Sequence, residues 1–122
     1  MRGHELGRRA ELVVADELFA RGFSVIGRNV RLGALELDVI ARRGPLLVVV
    51  EVRVRGSGSW VGPFESVTRA KRARLLRAVD RFWRQRAETA LADVERVRID
   101  VAAVTFDAGR TRVEYAEGVV SG

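Results

Sequence analysis

The chain is 122 residues long and 48% apolar, which is enough for one ordinary hydrophobic core and leaves no room for a second domain. It has no cysteine, which excludes disulfides and thiolate metal sites, and no long apolar run, so a cytoplasmic protein without a membrane partner is expected. The net charge of +6 is unevenly spread, since residues 56–90 carry eight basic groups against three acidic while 91–122 carry four against six.

The first expected element is a helix from about Gly3 to Arg21, with Gly22 placed to end it. At about 100° per residue, Gly7, Glu11, Val14, Ala15, Leu18 and Gly22 fall within about 60° of one line, which puts Glu11 near the centre of the buried stripe. A carboxylate there is costly unless it is paired or holds a cation. An ion pair with an arginine is the plainer alternative. His4 reads as a surface residue.

Strands are expected near residues 23–31, 35–42 and 46–54. The last two are rich in Val, Ile and Leu, and Arg42-Arg43-Gly44-Pro45 between them carries turn residues, so they form a β-hairpin. Alternation places Glu36 and Asp38 on one face of their strand and Glu51 and Arg53 on one face of theirs. With the loop centred on Gly44 and Pro45, Asp38 falls opposite Glu51 and Glu36 opposite Arg53. Directly opposed Cβ atoms are about 4.5–5.5 Å apart, close enough for two carboxylates to hold one divalent cation and too close for both to stay charged without one. The simpler reading is a solvated hairpin face with a cross-strand ion pair between Glu36 and Arg53. Against it stands the apolar setting: Leu47 and Val49 share a face with Glu51 while Val48, Val50 and Val52 occupy the other, so both faces of this strand look covered.

The stretch Gly56-Ser57-Gly58-Ser59 is flexible in composition, and the loop from Arg55 to Phe64 carries Trp60 and Phe64, which can either stack on an exposed base or fold back on the core. A second helix is expected from Glu65 to Glu88. It directs Val67, Leu75, Leu76, Val79, Phe82 and Trp83 to the core, while Arg69, Arg72, Arg77, Arg81, Arg84 and Arg86 populate the remainder. Arginine forks suit phosphate oxygens, and a basic helix beside an acidic cluster is what a nucleic-acid enzyme needs. A GC-rich genome would also enrich arginine, Lys71 being the only lysine. Further strands are expected near 96–106 and 111–116, with a frayed tail over 118–122.

The order of a helix with an inward Glu, a strand, a strand bearing Asp, a strand bearing Glu-x-Arg and a helix resembles the PD-(D/E)xK nuclease core. Within that group the chain is most similar to the bacterial YraN-like family, and more distantly to archaeal Holliday junction resolvases. The resemblance rests on Gly7-x3-Glu11-x3-Ala15, Gly22-Phe23, Arg28-Asn29-Val30-Arg31, Glu36-Leu37-Asp38-Val39-Ile40-Ala41, Val50-Glu51-Val52-Arg53-Val54-Arg55, Gly62-x2-Glu65-x5-Lys71 and Arg98-Ile99-Asp100-Val101. Two departures stand out: Leu35 replaces the usual glycine before Glu36, and Arg53 holds the place of the nuclease lysine. Arginine cannot be deprotonated in a protein, so it can orient water or stabilise phosphorane charge but cannot act as a base.

The resemblance implies an α/β fold of the restriction-endonuclease-like type, an αβββαβ core with a central mixed sheet flanked by helices, in a single domain over 1–122. It implies Mg²⁺ or Mn²⁺ held by Asp38 and Glu51, with the Val52 carbonyl, and Glu11 as a further ligand directly or through water. Glu36 would be an outer partner and Arg53 would orient the water or the scissile phosphate, completing a catalytic set of Glu11, Glu36, Asp38, Glu51 and Arg53. Arg28, Arg31, Arg55, Lys71, Arg72, Arg77 and Arg84 would contact nucleic acid. The favoured expectation is structure-directed cleavage of DNA, with a homodimer if the substrate is a junction needing paired symmetric cuts. A non-catalytic nucleic-acid-binding module on the same scaffold is the alternative, and a small adaptor that dimerises through a sheet edge is a third.

Overall fold

The structure is a computed structural model that describes residues 3–55 and 69–120. The expectations placed on Trp60, Phe64 and Val67, on the start of the second helix at Glu65 and on the side chain of His4 lie outside the described residues. In chain order the elements are α1 (Gly3–Ala20), β1 (Ser24–Leu32), β2 (Leu35–Arg43), β3 (Leu46–Arg55), α2 (Arg69–Arg84), a 3₁₀ turn (Arg86–Glu88), β4 (Arg96–Asp107) and β5 (Arg110–Val120). The strands form one five-stranded sheet in the order β1-β2-β3-β4-β5, in which only β3 and β4 run parallel. Parallel neighbours need a crossover, and α2 lies within that connection.

Alternation along β3 divides the core in two. Val48 and Val50 pack with Ala10, Val14 and Leu18 of α1, while Leu47 and Val49 pack with Ala78 and Val79 of α2. The sheet is thus covered by one helix on each face, and an apolar run without polar relief is what such a doubly covered strand requires. The first helix ends as its sequence suggests: Gly22 has φ 87°, and the Phe23 N–H donates to the Leu18 carbonyl at 2.9 Å. This six-to-one closure needs a residue with positive φ, which glycine adopts without strain, and it brings Phe23 onto Leu18 in the α1 core.

Two boundaries and one burial assignment differ from the sequence reading. The second helix ends at Arg84, and the chain passes through a 3₁₀ turn before Glu88. Leu76 is 37% exposed instead of joining the core, because the buried line of α2 runs through Leu75, Ala78 and Val79. The last strand continues to Val120 where a frayed tail from 118 was expected. The cause is Asp100, a fully buried acid on β4. Its carboxylate accepts hydrogen bonds from the Arg98 Nε at 2.9 Å, the Arg98 Nη2 at 3.0 Å, the Tyr115 hydroxyl at 2.6 Å and the Gly118 N–H at 2.9 Å. Gly118, at φ 62°, turns its N–H inward across a register shift and lets Val120 pair with Ile99.

Burial first, and then the hydrogen bond to the charged Asp100, push the Tyr115 phenol well above its usual range. Tyr115 is the only tyrosine. The folded protein should therefore show no phenolate absorbance as pH passes the ordinary value of about 10, and the signal should appear together with loss of circular dichroism. A phenolate transition preceding unfolding would show that Asp100 does not hold this hydroxyl.

A carboxylate cluster where the hairpin opens

The β2–β3 hairpin has the expected register, from Arg43 opposite Leu46 to Val39 opposite Val50, and there the pairing stops. Beyond it the Val52 N–H donates to Asp38 Oδ2 at 2.9 Å, a side chain taking the place of a strand neighbour's carbonyl. The strand also changes facing at this point. Val39 packs under α1, yet Leu37 lies in the α2-side core, where simple alternation would not put it. Asp38 and Glu36 are thereby left at the sheet's open end, within reach of both layers.

The neighbouring strand accommodates the change. Register passes from Arg28 opposite Val39 to Val30 opposite Leu37, and the intervening Asn29 has φ 53°, a conformation asparagine tolerates better than most residues. Asn29 donates from Nδ2 to Glu11 Oε1 at 3.0 Å, so the helix acid is fixed by this amide. Glu11 is 8% exposed, as the helical stripe requires. One carboxylate oxygen from each of Glu11, Glu36 and Asp38 lies within 4.8 Å of the others.

Glu51, 4% exposed, stands beside this group. Its Oε1 is 2.6 Å from the Lys71 Nζ and 3.9 Å from the Arg53 Nη1. Burial first, and then the Glu51 charge, push Asp38 up to about 7, with a hydrogen bond between the two carboxyls and the Glu11 charge adding to the effect and the Val52 N–H opposing it. Asp38 therefore keeps its proton to near neutrality, which relieves its repulsion with the neighbouring acids.

The structure thus brings Glu11, Glu36, Asp38, Glu51 and Arg53 to one place. The pairing of Glu36 is a correction: Glu36 lies opposite Arg31 of β1, with Arg31 Nη2 to Glu36 Oε2 at 3.7 Å, and does not face Arg53, because β2 leaves β3 before reaching that register. The expected basic residues separate into groups. Lys71 enters the site, and Arg31 lines a cavity with Glu11. Arg28 is exposed on β1, and Arg72, Arg77 and Arg84 are exposed on α2, Arg84 pairing with Asp80 at 3.0 Å. Arg55 is half-buried at the end of β3. Asn29 and the Lys71–Glu51 contact were missed by sequence reasoning. An asparagine inside a β-run and a lone lysine in an arginine-rich chain were the available signals.

The donor set is all oxygen, with carboxylates from a helix and a strand, and suits hard cations such as Mg²⁺ or Mn²⁺ better than metals that seek nitrogen or sulfur. Among the described residues no helix is long and apolar enough to cross a membrane.

A mixed sheet with one helix on each face, and acids gathered where β2 leaves β3, defines a restriction-endonuclease-like α/β protein. The chain belongs to the uncharacterised protein family UPF0102, whose model matches residues 10–104. It is 46% identical over 110 residues to a UPF0102 protein of Sorangium cellulosum, covering 89% of this chain and 76% of the relative. It is 43% identical over 115 residues to one of Beutenbergia cavernae (93% and 94%) and 39% identical over 115 residues to one of Arthrobacter sp. strain FB24 (93% and 94%).

Proposed function

We propose that the protein is a cytoplasmic, metal-dependent endonuclease that hydrolyses phosphodiester bonds in DNA, with branched structures as the favoured substrate and a homodimer as the form that would make paired cuts. The observation that carries this reading is the convergence of Glu11, Glu36 and Asp38 beside the Glu51–Lys71 pair. Asp38, with Glu11, Glu36 and Glu51 around it, would hold Mg²⁺ or Mn²⁺, which when bound supplies Lewis-acid polarisation of the phosphoryl oxygen.

The remaining work falls to the chain's own groups. Asn29 holds the Glu11 carboxylate in place, and the Val52 N–H fixes one oxygen of Asp38. Lys71 supplies at the site an ammonium that Arg53 cannot, a compact point charge with three rotatable donors. Anchored on Glu51, it is placed to stabilise charge growing on a phosphoryl oxygen. Arg53, half-buried beside the same carboxylate, can grip the scissile phosphate with its planar fork. Hydrolysis adds water across one P–O bond, leaving a phosphate on one product and a hydroxyl on the other.

The test is cleavage of branched, flapped, linear and single-stranded DNA in Mn²⁺. Wild type should cut at least one substrate, and Asp38→Asn should not. Lys71→Met should slow cutting by roughly 10²-fold or more, the usual loss on removing one charge-stabilising donor, with affinity changed far less. Binding by wild type without cleavage of any substrate would move the assignment to the binding module.

A further inference from the structure

Two cavities meet at the acids. One, of about 300 Å³, contains Asp38, Glu51, Lys71 and Arg74; the other, of about 340 Å³, contains Gly7, Arg8, Glu11 and Arg31. Glu36 lines both, so the carboxylates separate a cation-bearing hollow on the α2 side from a cation-bearing hollow on the α1 side. A single small anion would need only one of these hollows. A polyanion that places one phosphate at the acids must leave in both directions, and it meets a pair of cations either way.

Gly7 gives independent support. It lies inside α1, where glycine costs about 1 kcal/mol relative to alanine. A Cβ built there would meet nothing within 4 Å, so no packing within the protein requires the missing side chain. The helix surface is bare where it lines the Arg8–Arg31 hollow. Glycine lets another molecule's backbone come close.

We propose that a nucleic-acid backbone crosses α1 at Gly7, passes between Arg8 and Arg31 to the acids, and leaves past Lys71 and Arg74, so that the phosphates flanking the central one are held on opposite faces of the sheet. The proposal rests on the nucleic-acid reading of the acids and adds to it a path, with Gly7, Arg8 and Arg74 as binding residues.

The experiment measures binding of a fluorescently labelled single-stranded oligonucleotide and of a labelled duplex in an Asp38→Asn background, where cleavage does not interfere. Gly7→Ala should raise the melting temperature and lower the affinity several-fold, a combination that a purely structural glycine cannot give. Arg8→Gln and Arg74→Gln should each flatten the dependence of log K on log salt by roughly one phosphate contact. Arg112→Gln, on the edge strand β5 at the far side of the sheet, should leave that slope alone. Unchanged affinity in Gly7→Ala, or an equal effect from Arg112→Gln, would overturn the path while leaving the nucleic-acid reading intact. Absence of salt-dependent binding by the parent protein would overturn that reading, and the path with it.

Discussion

Without divalent cations, the protein should lose folding stability as pH rises from about 4 to 8, and Asp38→Asn should abolish most of that loss. The Asp38 carboxyl is raised from 3.8 to about 7 by burial and by Glu51, so between these values the native state keeps a proton that the unfolded chain has released. Stability falls with pH wherever the native state binds more protons. Its contribution is therefore complete below 3.8 and is lost as pH climbs through about 7. Each tenfold change in proton affinity is worth about 1.4 kcal/mol. The whole effect should therefore be on the order of a few kcal/mol. Mg²⁺ or Mn²⁺ should restore it above pH 7 by mass action, about 2.7 kcal/mol at a hundredfold excess over Kd. Urea titrations across this range, with and without metal, would measure both. A flat pH profile in wild type, or a metal shift that survives in Asp38→Asn, would remove Asp38 from the site.

Asp100→Ala should cost about 3 kcal/mol or more, the usual penalty for breaking a buried charge pair. The change strands three donors at once: the Arg98 fork, the Tyr115 hydroxyl and the Gly118 N–H. Arg98 recovers part of the loss, because its side chain is 26% exposed and Glu117 lies 3.7 Å away. Tyr115 cannot recover in the same way, being half-buried beneath Arg21. The midpoint of urea unfolding should fall while the Asp38-dependent metal shift persists, which separates a structural acid from the cluster. A cost below about 1 kcal/mol, the scale of an exposed ion pair, would mean that solvent reaches this network.

How much of this could be read in advance depends on how far each residue's position follows from its neighbours in the chain. The hairpin turn at Gly44 and Pro45 and the register from Arg43 to Val39 follow from local turn chemistry and a period of two, and both are present. Glu11 in the buried stripe of α1 follows from a period of 3.6. The opening of the hairpin at Asp38 does not, because nothing in β2 or β3 alone marks where their pairing ends, and Asn29, which fixes Glu11 there, comes from a third segment. Extending the alternation by two residues paired Glu36 with Arg53 and hid the role of Arg31. Lys71 was visible as the one lysine and as a match to the family pattern, but its approach to Glu51 was not, being a tertiary event of the crossover. Arg98 and Asp100 share a strand face two residues apart, and their pairing was open to the same alternation argument that located Asp38 and Glu36.

The single parallel pair also governs the order of assembly. Each antiparallel neighbour in the sheet is joined by a short turn, so these hairpins can close on the microsecond scale. β3 and β4 must wait for the intervening segment and α2 to fold back, a long loop whose closure delays the contact. Glu36, Asp38 and Glu51 therefore come together early on adjacent strands, while Lys71 arrives only with the late crossover. During that interval the Glu51 carboxylate lacks the Lys71 ammonium that lies 2.6 Å from it in the folded protein, so the acids are gathered before their lysine counter-charge is.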